Sequence, residues 1–361
     1  MLDKATPVHL SRAILKQMMT PYQGSRLTSS ICQLLNTFIP FVLVCALMYA
    51  SLSWPYWLTL ALSIIAAGLT VRIFIIQHDC GHGSFLPSPL ANAVIGHLCS
   101  IVTFAPYESW RRQHAGHHAH WNNLDRRDRG VDIYSTCLTV GEYQAAGRLR
   151  RLKYRIIWHP VVSLVVLPPV VFLLLYRLPF DMPKEWRRER WGVYLANLAL
   201  LSVFGILGWF LGFTNVVMVH LPIIIFAALF GVWLFSVQHR FEDTFWARQE
   251  NWTATSASLR GSSYLKLPRL LQWFSGNIGF HHIHHLNPMI PNYRLQECHE
   301  ASSALQVAPI LTLADALKAW RFALWDEPKD KMVRFGDAVD GTFASSTADE
   351  KLRKMKNGKR S

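Results

Sequence analysis

Charge is sparse in this chain: Asp, Glu, Lys and Arg make up 17% of its 361 residues, against 51% apolar residues. No soluble core needs such an excess, and the balance points to an integral membrane protein. Cysteine is thin as well. Cys32, Cys45, Cys80, Cys99, Cys137 and Cys298 are scattered with no C-x-x-C spacing, which argues against a structural zinc site or an iron–sulfur cluster and fits a reducing compartment. There is no C-x-x-C-H haem attachment and no G-x-G-x-x-G opening a strand–helix unit, so the chain carries no electron-supplying module of its own. Residues 1–27 hold Lys4, Arg12, Lys16 and Arg26 but lack a short apolar region followed by a small-residue cleavage site, and are expected to be retained cytosolic sequence. Internal repeats and low-complexity tracts are also missing.

What the chain does have is apolar sequence in long runs. Residues 31–53, 56–76, 193–213 and 216–237 each approach the roughly 20 residues that cross about 30 Å of hydrocarbon. Two further runs are compromised: 90–105 is short and bracketed by Pro87, Pro89 and Pro106, and 157–176 is interrupted by Pro160 and Pro168-Pro169. Residues 106–155 carry ten Lys and Arg against five acids, and Arg177, Lys184, Arg187, Arg188 and Arg190 follow. Cytosolic loops collect such charge. Both stretches stay on one side only if the two compromised runs enter the membrane and return, which irregular backbone covered by protein permits. The expected fold is an all-α integral membrane protein with four transmembrane helices, two non-spanning membrane insertions and a cytosolic histidine-rich cap. Its expected divisions are a cytosolic segment 1–30, a membrane domain 31–325 and a polar, mobile tail 326–361 with Lys351, Lys354, Lys356 and Lys359. The net charge of +14 flanks the apolar runs and suits anionic lipid headgroups, not nucleic acid.

Histidine is the informative residue. Nine of the 16 fall in a pattern: His78 and His82; His114, His117 and His118; His239; and His281, His284 and His285. Residues three and four apart share a helix face, so each cluster can aim two or three imidazoles at one point. Neutral imidazole ligates iron, copper, zinc or nickel. Nine ligands exceed what one four- or six-coordinate ion uses, so two metal ions are expected.

These motifs resemble those of the membrane fatty acid desaturases, a non-haem di-iron family defined by three histidine boxes. His78-Asp79-Cys80-Gly81-His82 resembles the first box, His114 to His118 followed by Asn122-Asn123-Leu124-Asp125 the second, and His281 to His285 continuing to Pro291-Asn292-Tyr293 the third. His239, in Val237-Gln238-His239-Arg240-Phe241-Glu242-Asp243, occupies the place of a further ligand. The third box with its continuation and the Val237–Asp243 segment are similar to the bacterial acyl-lipid branch, and the three residues between His78 and His82, where the acyl-CoA desaturases of animals have four, favour a lipid-linked substrate over a CoA ester. The resemblance implies two irons and O₂ as co-substrate. It implies a cis double bond placed in a lipid-linked acyl chain, with Δ12 (ω-6) as the first expectation, and a bacterial inner membrane with the site on the cytosolic face. It further implies electrons from a ferredoxin or a cytochrome b5-like protein with its reductase; Arg111, Arg112, Arg126, Arg127 and Arg129 would steer such an acidic donor. A di-iron hydroxylase acting on alkanes or carotenoids, and more remotely a divalent-metal transporter, are the rival readings.

Around the boxes, a ligating His commonly gives its other N–H to a carboxylate or carbonyl. Asp79 is the first candidate, and Asp125, Asp128, Asp132, Glu242 and Asp243 lie near in sequence. His282 is a candidate for supporting hydrogen bonds, as His120 is, and Asn277 for holding a metal-bound water. His97, His159 and His220 read as satisfied interior histidines; His9 and His299 have no supporting cluster. The four spans are expected to line an acyl tunnel, with Gly205, Gly208, Gly212 and Ala227 leaving room for the chain or, alternatively, packing helices together.

Overall fold

The apolar runs form the helices their lengths allow. In the computed structural model, which describes residues 12–127 and 136–338, α1 (Arg12–Met19) precedes a hairpin of α2 (Leu27–Ser51) and α3 (Trp57–His82). α4 (Pro89–Thr103) and α5 (Tyr107–His120) follow, bent 99° from each other. α6 (Val140–Ala145) and the basic α7 (Arg148–Ile157) lead into a second bent unit. There a π-helical turn (Val162–Val166), α8 (Leu167–Leu173) and a 3-10 turn (Leu175–Arg177) run 52° away from α7. The hairpin of α9 (Arg187–Leu211) and α10 (Phe213–His239) completes the bundle, and short α11 (Ala254–Arg260), α12 (Arg269–Phe274) and α13 (His281–Leu286) cap it.

Among the described residues, α2, α3, α9 and α10, of 25, 26, 25 and 27 residues, are long and apolar enough to cross a membrane. Both hairpins open at the same end. Ser30 Oγ near the start of α2 donates to Phe85 O just past α3, and Arg188 Nη2 at the start of α9 donates to Glu108 Oε1 on α5 (2.7 Å). The α4–α5 unit therefore begins and ends where the hairpins open, while the second bent unit ends at Arg177, which exchanges hydrogen bonds with Asn197 ten residues into α9.

Each bend has a local cause. Pro106 precedes α5, and Phe104 takes φ 59°, a left-handed conformation that a side-chain-bearing residue holds only when neighbours enforce it. They do: Gln77 Nε2 donates to Ala105 O (3.0 Å), and Arg177 donates to Phe104 O. Pro168 and Pro169 open α8, where their missing N–H groups are tolerated, and the turn before them widens to π geometry, a form found at such interruptions.

The cap is not purely helical. β1 (Leu138–Thr139) pairs in parallel with β4 (Leu324–Asp326), which pairs antiparallel with β5 (Lys331–Val333), while β2 (Tyr264–Leu265) pairs in parallel with β3 (Ile310–Leu311). The boundary expected at 326 falls inside this sheet. Trp325, Met332, Val333 and Ala338 are buried because the hairpin turns apolar side chains inward; residues 339–361 lie outside the described residues. The segment before the first span is likewise folded: Leu15 and Met19 of α1 pack with Val71, Ile75, Ile283 and Ile290 beneath the cap.

Candidate metal centre

Four elements deliver the nine histidines to one place. His78 and His82 close α3, which Gly83 stops at φ 73° with its amide bonded back to Cys80 O. His114, His117 and His118 lie on α5, His239 is the last residue of α10, and His281, His284 and His285 lie on α13.

Together they divide into two sets. His78, His82, His114, His118 and His284 bring one ring nitrogen each within 4.8 Å of one another, as do His117, His239 and His285. His281 joins the second set: its Nε2 is 2.9 Å from that of His239 and 3.1 Å from that of His285. The sets adjoin through His118 and His285, whose rings stack with centroids 4.3 Å apart. Each short helix splits its histidines, α5 sending His114 and His118 one way and His117 the other.

The donor set fits metal ions and not a hydrogen-bond network. His239 Nε2, His281 Nε2 and His285 Nε2 form a triangle with sides 2.9, 3.1 and 3.2 Å. Each nitrogen of a neutral imidazole is either donor or acceptor, so an odd ring of three contacts always leaves one pair of like kind. A cation at the shared point satisfies all three. Protonation of the triangle is disfavoured as well, because burial and the neighbouring rings push His281 and His285 below the ordinary imidazole pKa. His78 Nε2 and His82 Nε2 are buried without a hydrogen-bond partner, as bare ligand atoms are.

Supporting contacts fix two of the rings. Asp79 Oδ1 accepts from His78 Nδ1 (2.9 Å), and its Oδ2 accepts from Asn292 N and Nδ2 (2.6 and 2.8 Å), leaving His78 Nε2 bare. His239 Nδ1 lies 3.3 Å from Gly261 O, to which Trp121 Nε1 also donates (3.0 Å). Trp121 covers His239 at 3.9 Å between centroids, and Trp110 stacks on His114 at 4.6 Å. Gly261, Trp121 and Trp110 were not singled out from sequence, and Asn292 entered only as part of the third box's continuation, with no role; adjacency to a box hinted at the tryptophans.

Other candidates lie elsewhere. Asp125 is exposed and accepts from Arg248 Nη1 and Gln249 N, because the loop after α5 turns away from the centre. His282 is buried on the far side of α13, where Nε2 donates to Leu305 O (3.0 Å) beside His299, and burial lowers its pKa to about 3. Asn277 takes φ 58°, accepts from Gln272 and donates to Asn292 O, so it builds the turn before α13. Glu242 pairs with Lys331, Asp243 is exposed, and His120 joins neither set. His97 and His159 are exposed, not interior; His97 faces Glu108 and His220 faces Tyr49. Of the five arginines expected to steer a donor, Arg112 pairs with Glu189 and Arg127 with Glu142. Asp128, Arg129, Asp132 and His9 fall outside the described residues.

A cavity of about 400 Å³ runs from the histidines into the bundle. His78, His114, His117 and His281 form its inner end; Val71, Phe74, Phe172, Ile224, Ala227 and Gly231 are among its apolar walls, and Phe180 and Asp181 stand at its exposed side. Its lining comes from α3, α10, the α4–α5 bend and the insertion around α8, with no residue of α2 or α9. That differs from a tunnel lined by all four spans: α2 and α9 are peripheral, and the insertion takes their place. Ala227 lines it. Gly205, Gly208 and Gly212 do not, and a Cβ on Gly208 would lie 2.4 Å from the Phe213 ring, so that glycine serves close packing.

Fold and site together define a membrane protein in which a polyhistidine centre closes the end of an apolar cavity. The fatty acid desaturase family model matches residues 14–310. The chain is 42% identical over 334 residues to a fatty acid desaturase of Bacillus subtilis, covering 92% of this chain and 93% of that one. It is 26% identical to the sn-1 acyl-lipid omega-3 desaturase (ferredoxin) of a Nostoc species, over 73% of each chain. It is likewise 26% identical to the sn-1 oleoyl-lipid 12-desaturase of a Synechocystis species, over 70% of this chain and 71% of the other. The chain belongs to the fatty acid desaturase family and is an oxidoreductase.

Proposed function

We propose that this desaturase places a cis double bond in the acyl chain of a membrane glycerolipid, at Δ12 in the first instance, using two irons and O₂. The nine histidines of the two sets are the proposed ligands. Irons held there would supply, with O₂ and electrons, the oxidising power to remove hydrogen from an unactivated methylene. The chain's own residues do the rest. Asp79 and the Gly261 carbonyl orient His78 and His239, and the apolar walls exclude water and hold the acyl chain extended, so that one carbon pair rests beside the centre. Methylenes are chemically alike, so position along the cavity is what distinguishes them.

The observation that carries this reading is the continuity of the cavity with both histidine sets. The lipid-linked substrate and Δ12 position are supported by the Synechocystis relative's name, and a ferredoxin donor by the Nostoc relative's; a cytochrome b5-like protein with its reductase is the other donor class. The loops between 83 and 186 are rich in Lys and Arg, which favours a cytosolic site on a bacterial inner membrane. Expression in a host lacking polyunsaturated lipids, with mass-spectrometric location of new double bonds in intact lipids, tests the whole. A diene in glycerolipids that disappears on His284→Ala or His239→Ala is expected. An alcohol product, or unsaturation appearing first in free or thioester-linked chains, would overturn it.

A further inference from the structure

Basic helix α7 takes no part in the centre or the cavity wall, yet its surface is unusual. Its sequence, Arg-Leu-Arg-Arg-Leu-Lys-Tyr-Arg-Ile-Ile, has five cations and no acid. Leu149, Leu152 and Ile156 recur at three- and four-residue spacing and so share one face, and they are 66%, 55% and 51% exposed. Arg148 and Lys153 flank that stripe. The opposite face is occupied: Tyr154 OH donates to Ala323 O and accepts from Leu138 N, and the Arg155 guanidinium sits over Tyr143 and Phe335. Arg148, Arg150, Arg151 and Lys153 have no ion-pair partner among the described residues. A merely solvated face would not expose three large aliphatics in register, whereas an apolar stripe flanked by snorkelling cations is the pattern of a helix lying in a bilayer interface.

We propose that α7 is a docking surface for anionic lipid headgroups, and that lipid bound there holds the adjoining insertion in place as a wall of the acyl cavity. α7 is joined through Trp158 and His159 to the π turn and α8, whose Val171 and Phe172 line the cavity, as do Leu175 and Tyr176 beyond them. Its axis is set 52° from that unit. With the aliphatic stripe seated in the acyl region and the cations on phosphates, the angle at which the insertion descends is fixed from outside the protein. Charge complementarity selects anionic over zwitterionic lipid.

The test uses the full chain in nanodiscs of phosphatidylcholine alone or mixed with phosphatidylglycerol. Two variants serve: a charge variant (Arg148→Gln, Arg150→Gln, Arg151→Gln, Lys153→Gln) and an apolar variant (Leu149→Ser, Leu152→Ser). Wild type should retain phosphatidylglycerol through detergent purification, and its turnover should rise with the phosphatidylglycerol fraction. The charge variant should retain less, by about fivefold or more given the contribution of each cation near an anionic surface. Its turnover should stay at the phosphatidylcholine level, with metal content unchanged. The apolar variant should show the same loss of response, and inorganic phosphate should not restore it. Equal lipid retention by wild type and charge variant overturns the proposal, whatever the reaction catalysed. So does a charge effect that appears with a protein electron donor and vanishes with a chemical reductant, since α7 would then be binding the donor.

Discussion

At the scale of single residues, the centre depends on atoms that aim the histidines as much as on the histidines themselves. Gly261 is the sharpest case. A Cβ there would lie 2.6 Å from Ala257 O and 2.7 Å from Asn122 Cγ, so Gly261→Ala must displace the carbonyl shared by His239 and Trp121. We expect metal held by His117, His239, His281 and His285 to be lost while the other five-histidine set keeps its ion. Metal analysis of the purified variant checks this, and unchanged stoichiometry would count against the role given to that carbonyl. A second glycine separates cavity from packing. Gly231 lines the cavity and a Cβ on it meets nothing within 4 Å, so Gly231→Phe should fold, keep its metal and shift chain length or double-bond position. Gly208→Phe, by contrast, collides with Phe213 and should lower the yield of folded protein without changing the products of what survives.

At the scale of elements, α4, α5 and α9 are held together by one carboxylate. Glu108 accepts from Arg188 Nη2 (2.7 Å) and lies 3.5 Å from His97 Nε2 and 4.0 Å from Arg111 Nη1. These partners, His97 first and then Arg188, hold its pKa down at about 2 against an ordinary 4.5. A group whose folded pKa is depressed contributes stability that is complete above its unfolded pKa and is lost as pH falls toward the folded one. Glu108→Gln should therefore cost about 1 kcal/mol near neutrality, the scale of exposed ion pairs. The gap in melting temperature should close as pH drops through 4.5 toward 2. His97→Ala should narrow that gap while keeping catalytic activity. A gap that is constant across this range would show that the ion pairs do not brace the bend.

At the scale of the whole molecule, topology is the claim most exposed to experiment. Two hairpins opening at one end require that the loop at 178–186 and the histidine-bearing cap share a side of the membrane. Lys184, in that loop, should react with a membrane-impermeant amine reagent in inside-out vesicles and be protected in intact spheroplasts. Reaction in intact spheroplasts would mean that the bent unit from α7 to Arg177 crosses the bilayer.

The sequence by itself determined what is local and periodic. Length and apolarity mark α2, α3, α9 and α10, since each must cross hydrocarbon with its backbone bonds closed internally. Three- and four-residue spacing marks the histidine clusters, since one helix face gathers them. Prolines mark both insertions, and Asp79 was found because its partner is the next residue in the chain. Tertiary structure decided what depends on elements far apart meeting. Which histidine joins which set follows from how α5 and α13 cross between the ends of α3 and α10, so His117 parts from its neighbour His118. Asn292 reaches Asp79 across 213 positions, and Gly261 meets His239 across 22. The cavity wall is built by the α8 insertion in place of α2 and α9, because the insertion packs on α10 at the cavity side whereas α2 packs on α3, and α9 on α10, away from it. The strands at 324–333 were hidden for the same reason: pairs of two or three residues have no periodicity of their own, and their partner, Leu138, lies nearly two hundred residues away.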